Sequence, residues 1–407
     1  MSPAPGELDE AVERMRLARR LDKAVAALAD PAAPLVVVDL DAFDANAADL
    51  ARRAGGKPVR VASKSLRVPA LLCRALGGRG FRGVLAYTLR EALWLVGEGL
   101  SDDVVLGYPS VDRVALRRLA DDERARECIT LMVDCPEHLD LIEAADPPGP
   151  VRIALDVDAG LRLGPAHVGP KRSPLVAVDE VVALAREALS RGFRLTGVMT
   201  YEGQVAGVPD DVPGQQARSF AVRRVKAASV AQLTGRRERI ARALTDVVDL
   251  EFWNAGGSGS VESTVADPVV SEVAAGSGLL VPGLFDHYRS FRPRPAAFFG
   301  VPVVRRPGPG TVTVAGGGFA ASGAAGRDRL PLPWAPYGLH LTALEGAGEV
   351  QTPLTGPGTR GLGVGDWVWF RHAKAGEVAE HANVVHLVRG DTVVETVPTY
   401  RGLGLAW

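Results

Sequence analysis

Cysteine is scarce in this chain of 407 residues: Cys73, Cys128 and Cys135 are odd in number and form no C-x-x-C pair. That excludes a disulfide framework and a zinc knuckle, and a reducing compartment is expected. Long apolar runs are missing too. No stretch approaches the ~20 residues of a membrane span, and Met1 to Asp30, rich in Arg, Glu and Asp, holds no run of signal-peptide length. The expectation is a cytoplasmic protein without membrane contact. Net charge is also nearly absent, since 47 basic residues face 48 acidic ones, and the basic residues are dispersed rather than gathered into a stripe. Nothing there offers a footprint for nucleic acid, so a small-molecule partner is expected. Internal repeats and low-complexity tracts are lacking as well.

What is present is a hydrophobic content of 47%, ample for a core, in a chain longer than one usual domain. From Pro58 to Leu280, short β-rich runs alternate with helical patterns, the mark of βαβ units and a parallel sheet. The runs are Val59–Ser63, Gly83–Tyr87, Val104–Gly107, Thr130–Val133, Val151–Val157, Leu195–Thr200, Glu251–Asn254 and Glu272–Ala275. Between them, segments such as Leu89–Gly97, Val111–Leu119, Pro136–Ala144, Val181–Leu189 and Ala217–Leu244 carry apolar residues at three- and four-residue spacing. Eight such steps fit a closed (β/α)8 barrel of the TIM type, with an open doubly wound sheet as the rival.

After Pro282 glycine and proline become dense, and Thr311–Val314, Trp367–Phe370, Val384–Val388 and Thr392–Val397 look like antiparallel strands. The expected organisation is a helical extension over 1–34, a barrel over 35–281 and an all-β domain over 282–407, joined by the run Pro34–Asp39 if that run pairs with it.

Two features carry chemistry. Lys64 follows the first barrel run, and barrel active sites gather where strands end. Partial desolvation there favours the neutral amine needed to attack an aldehyde, although most strand-end lysines are merely solvated. The second feature, Asn254-Ala255-Gly256-Gly257-Ser258-Gly259-Ser260, follows the seventh run. Its glycines let backbone N–H groups converge on a phosphate, and the hydroxyls of Ser258 and Ser260 add donors; the competing reading is a flexible loop. Both features fall on one rim.

With these residues the chain resembles the fold-type III enzymes of pyridoxal 5'-phosphate (PLP) related to alanine racemase, and within them the D-threonine aldolase and D-serine dehydratase branch. The matching stretches are Pro34 to Asp41 with Asn46, Arg60 to Lys64, Thr200 to Gly203, Gly256 to Ser260 and Glu272 to Asp286. Gly365 to Lys374, Gly390-Asp391 and Pro398 to Gly402 match in the second domain. The resemblance implies a Schiff base on Lys64, a phosphate cradle from Gly256 to Ser260 beside Asn254, and Tyr201 near the cofactor. It also implies an arginine at the pyridine nitrogen, for which Asp158-Ala-Gly-Leu-Arg162-Leu-Gly164 makes Arg162 the first candidate and Arg172 the reserve. A homodimer and an amino-acid substrate are further implications.

The chain departs from that branch at His372-Ala373-Lys374, where relatives carry a His-x-Cys or His-x-Asp pair that binds a divalent metal. A charged ammonium has no lone pair to give, so a metal is not expected. Lys374 is expected to supply positive charge instead, with His372, alongside Glu377 or His381, as the fallback ligand set. Ala62 and Ser63 stand where relatives have a histidine nearby, and Gly278 replaces a tyrosine. The expected activity is that of a lyase on a β-hydroxy amino acid, by aldol-type cleavage or by dehydration, with Lys64, His372 and Lys374 handling protons. The alternatives are an amino-acid racemase or epimerase and a non-catalytic PLP-binding protein.

Overall fold

The computed structural model describes residues 5–407, so the first four residues of the N-terminal extension lie outside the description. Eight parallel strands close into a barrel: Val59–Ala62, Phe81–Ala86, Val104–Leu106, Ile129–Val133, Arg152–Asp156, Arg194–Thr200, Phe252–Ala255 and Glu272–Ala275. Each overlaps one of the eight runs read from the sequence. Glu272–Ala275 pairs with both Phe252–Ala255 and Val59–Ala62, so no strand edge is left open. The doubly wound rival is thereby excluded.

The barrel is filled rather than hollow. Val105, Met132, Ala154, Met199 and Phe252 form one cluster inside it, and Gly197 is needed because a Cβ there would overlap the Phe252 ring. Arg60 is fully buried among these strands, and its charge is met by Glu272 at 2.7 Å and Asp103 at 2.7 Å. Asn254 Nδ2 donates to the same Glu272 at 2.7 Å. A guanidinium in such a place persists only because two carboxylates face it.

Helices surround the strands, and local sequence sets their starts. Proline occupies the first turn of Pro69–Leu76 and of Pro136–Glu143, where a missing N–H costs nothing. Asp39 caps helix Leu40–Arg53 by accepting from the N–H groups of Asp41 at 3.0 Å and Ala42 at 3.2 Å. One segment was not anticipated: Leu161–Leu163 and Ala166–Val168 form a small antiparallel hairpin beyond the fifth barrel strand.

The second sheet is nine-stranded and mixed. Its centre is Leu35–Asp39, antiparallel to Ala297–Gly308 and parallel to Val384–Arg389. Helix Pro5–Val25 covers one face, burying Ala18, Leu21, Ala24 and Val25 against Leu35, Val37, Phe298 and Trp369. Trp369 Nε1 donates to Asp22 at 2.8 Å, so the indole keeps a polar partner inside that layer.

The sheet domain is fastened over the C-terminal ends of the barrel strands. Buried Arg371 binds Asp286 through two hydrogen bonds of 2.6 and 2.8 Å. The N–H groups of Gly283 and Leu284 donate to the carbonyls of His372 and Ala373. From the chain end, Tyr400 reaches back to Glu91 at 2.9 Å. These ties bring the turn 373–376 down onto the mouth of the barrel.

Candidate functional site

A cavity of about 370 Å³ opens where the strands end and the sheet domain overhangs them. Lys64 lies in its wall, on the single turn Ser63–Ser65 that follows the first barrel strand. Its Nζ donates to the Tyr108 hydroxyl at 2.7 Å. Tyr108 follows the third barrel strand, and the rule that placed Lys64 at a strand end applies to it equally. Burial opposes ionisation of this phenol, but the charges of Lys64, Arg172 and Lys374 outweigh it and hold its pKa below the ordinary tyrosine range.

Tyr201 lines the same cavity, and burial raises its pKa. The Arg172 guanidinium lies 5.3 Å from the Tyr201 ring centroid and 5.4 Å from that of Tyr108. Arg162 is placed elsewhere. It lies in the first strand of the unanticipated hairpin, binds Asp158 at 2.9 Å and keeps much of its side chain in solvent, outside the cavity lining. Of the two candidates, the arginine facing the cavity is the reserve, Arg172.

The glycine-rich loop divides in two. Asn254, Gly256, Gly257 and Ser258 line the cavity, whereas Gly259 and Ser260 stand behind it. Gly259 packs against the Ala206 carbonyl and the Tyr288 ring, leaving no room for a Cβ. The Ser260 hydroxyl is taken by buried Glu202 at 3.4 Å and by the Gly257 N–H at 3.1 Å. Glu202 in turn is paired with Arg237 at 3.1 Å, so this layer is a scaffold that shapes the loop. Ser258 is different: its Oγ accepts from the Gly278 N–H at 2.8 Å, which leaves its own proton free to donate. Gly276 and Ser277, after the eighth strand, complete the concave wall.

The sheet domain contributes Ser322, Gly323, Arg329, Lys374 and Ala375. Lys374 Nζ donates to Ser322 Oγ at 2.6 Å and lies 3.5 Å from Glu377. His372 is not in this wall. It lines a neighbouring cavity with Phe319, Glu377, Glu380 and His381, and Ser322 and Lys374 border both spaces. Burial, aided by the Arg371 charge, lowers the His372 pKa to about 3, and neither ring nitrogen has a hydrogen-bond partner among the described residues. His381 stacks on Phe319 with ring centroids 4.1 Å apart.

Against known proteins, the family model of the alanine racemase N-terminal domain matches residues 38–244. The chain belongs to that family. Its members are fold-type III PLP enzymes. Among solved structures, D-threonine aldolase from Filomicrobium marinum is similar at 22% identity, over 92% of this chain and 96% of that one, with a TM-score of 0.75. D-threo-3-hydroxyaspartate dehydratase from Delftia sp. HT23 is similar at 19% identity, over 94% of this chain and 100% of that one, with a TM-score of 0.72. The alanine racemase of Clostridium difficile 630 in complex with cycloserine is 13% identical over 91% of this chain and 99% of that one, with a TM-score of 0.61. At these identities the likeness is one of fold. No curated protein sequence matches the chain.

The residues present fit PLP. The cavity lining brings together the amine of Lys64 and a concave wall of glycines and serines. Gly257 keeps that wall open, because a Cβ would come 3.0 Å from the Ala206 methyl and crowd it. Lys64, Arg172, Arg329 and Lys374 face the space and no aspartate or glutamate among the described residues does, which suits an anionic cofactor.

Proposed function

We propose that the protein is a PLP-dependent lyase acting on a β-hydroxy amino acid, with Lys64 as the residue that holds the cofactor. The observation that carries the reading is the hydrogen bond from Lys64 Nζ to Tyr108 in a cavity that also presents Lys374 from the sheet domain. When bound, PLP supplies an electron sink for the pair of electrons left on the substrate carbon. The chain's own residues do the rest. Asn254, Gly256, Gly257, Ser258 and Ser277 would hold the phosphate, and Arg172 is the arginine available to the pyridine nitrogen.

Lys64, as a neutral amine, can act as a base toward the substrate, and Tyr108 can accept a hydrogen bond from it or return a proton to it. Lys374 presents its ammonium to a substrate hydroxyl or carboxylate. That assignment makes a divalent metal unnecessary here, since one ammonium and one imidazole do not form the lone-pair set a cation needs. His372 belongs to the wall behind Lys374 in this reading, keeping the sheet domain seated.

The test is product analysis with the holoenzyme. Aldol-type cleavage yields glycine and an aldehyde; dehydration yields ammonia and a 2-oxo acid. Either product set, abolished in Lys64→Ala and insensitive to chelator, supports the reading. Exchange of the Cα proton with deuterium and inversion at that carbon, with no cleavage or ammonia, would replace it with a racemase. Stoichiometric metal together with loss of activity on chelation would overturn the role given to Lys374.

A further inference from the structure

The cavity has more positive charge than the chemistry above consumes. Lys64 and Arg172 lie on the barrel side, where the cofactor's amine-reactive end and ring would be. Arg329 and Lys374 lie opposite, on the sheet domain. An amino acid brings one α-carboxylate to that second pair, and the other cation keeps only a loose intramolecular ion pair, Glu377 at 3.5 Å for Lys374 or Asp328 at 3.7 Å for Arg329. A loosely paired cation in a partly closed space gains from a closer, hydrogen-bonded anion, so a substrate that meets both is favoured over one that meets a single charge.

Arg329 is the less compensated of the two. Lys374 already has Ser322 and Glu377, at 2.6 and 3.5 Å. The Arg329 guanidinium makes no hydrogen bond among the described residues; its buried Nε lacks a hydrogen-bond partner and meets the largely exposed Asp328 carboxylate only at ion-pair distance, 3.7 Å. It lies flat against the loop at Gly323, whose φ of +121° and missing Cβ permit the approach; a Cβ there would be 3.3 Å from Arg329 Cζ and Nε. The side chain therefore has a built seat and a free planar fork of donors, which matches a carboxylate in two-point fashion.

We propose that the substrate is an amino acid whose side chain ends in a second carboxylate, and that Arg329 is the residue that recognises it. This rests on the reading of the cavity as a PLP lyase site. With Arg329 on the side-chain carboxylate, Lys374 serves the α-carboxylate or the hydroxyl, and both cations of the overhanging wall are matched. A serine- or threonine-like substrate would place a hydrogen or methyl group before the guanidinium and gain nothing from it.

Two measurements on the holoenzyme test this. In the first, kcat/KM is compared for both enantiomers of serine and threonine and for the stereoisomers of 3-hydroxyaspartate. The expected result is a preference for a dicarboxylic substrate of about 10- to 100-fold, the worth of a charged hydrogen-bonded contact, and its collapse toward unity in Arg329→Gln, chiefly through KM, with partial recovery in Arg329→Lys. In the second, thermal melting is followed with unreactive succinate and with propionate. Succinate should raise the melting temperature of the wild type more than propionate, and Arg329→Gln should lose the difference. A preference for serine or threonine, a dicarboxylate preference that survives Arg329→Gln, or equal responses to succinate and propionate would overturn the proposal. A protein that responds to succinate through Arg329 but turns over no amino acid would instead sink the lyase reading.

Discussion

Gly376 is packed so tightly against Lys64 that a Cβ on the glycine would overlap the lysine's carbonyl oxygen. The contact joins the sheet domain to the turn that carries Lys64, and Gly376 holds a left-handed φ of +83° to make it. Gly376→Ala must therefore push the 373–376 turn away from the barrel as well as bear about 1–2 kcal/mol of backbone strain. The expected outcome is a loss of turnover of roughly tenfold or more with PLP still bound, because a displaced turn misplaces Lys374. Steady-state kinetics beside the cofactor absorbance of the variant check this.

Tyr108 should matter to proton handling and not to cofactor capture. Tyr108→Phe removes the hydroxyl 2.7 Å from Lys64 Nζ while leaving the ring that packs near Arg172. A fall in kcat of about 10²-fold, with little change in PLP affinity, is expected for loss of a positioned acid–base partner. The pH profile of kcat should change shape as well, whereas a purely structural tyrosine would scale the whole profile.

Gly257→Val is expected to weaken PLP binding at least tenfold, since even a Cβ would sit 3.0 Å from Ala206 and the branched chain would intrude on the cradle. Titration of the apoprotein with PLP, followed by absorbance, gives the affinity. An unchanged value would move the phosphate to another part of the wall.

The strand order was legible because each barrel strand is a short, buried, β-rich run followed by helical spacing. The eight runs in the sequence are the eight strands of the closed barrel. Lys64 and the stretch from Asn254 to Ser258 were legible for the same reason, as residues at or just past the end of a strand. Arg172 was harder to place: the text around Asp158 favoured Arg162, but residues 161–168 fold into a hairpin that carries Arg162 away and ties it to Asp158. Ser260 looked equivalent to Ser258 in sequence, and only the buried Glu202, 58 positions earlier, tells them apart. Tyr108 had a usable signal in its strand-end position. Arg329 had none, because its approach to the cavity depends on the fold of an irregular loop.

Asp156 predicts a pH dependence of stability. Burial, reinforced by the nearby charges of Asp134 and Asp158, raises its pKa to about 7 in the folded protein. The native state then holds a proton that the unfolded state has released, so stability falls as pH rises from about 4 to 7 and stays low above that window. The loss is of the order of a few kcal/mol. Asp156→Asn should be more stable than wild type at pH 8 and nearly equal to it at pH 4. Denaturant unfolding of the apoproteins at the two pH values decides, and a constant gap between them would contradict the assignment.

Whether Lys64 carries the cofactor is decided by reducing the PLP-loaded protein with borohydride and mapping the labelled peptide. One pyridoxyl group, on Lys64, is expected, with no visible cofactor band in Lys64→Ala. A label on Lys57, Lys171 or Lys374, or an unlabelled protein, would contradict it.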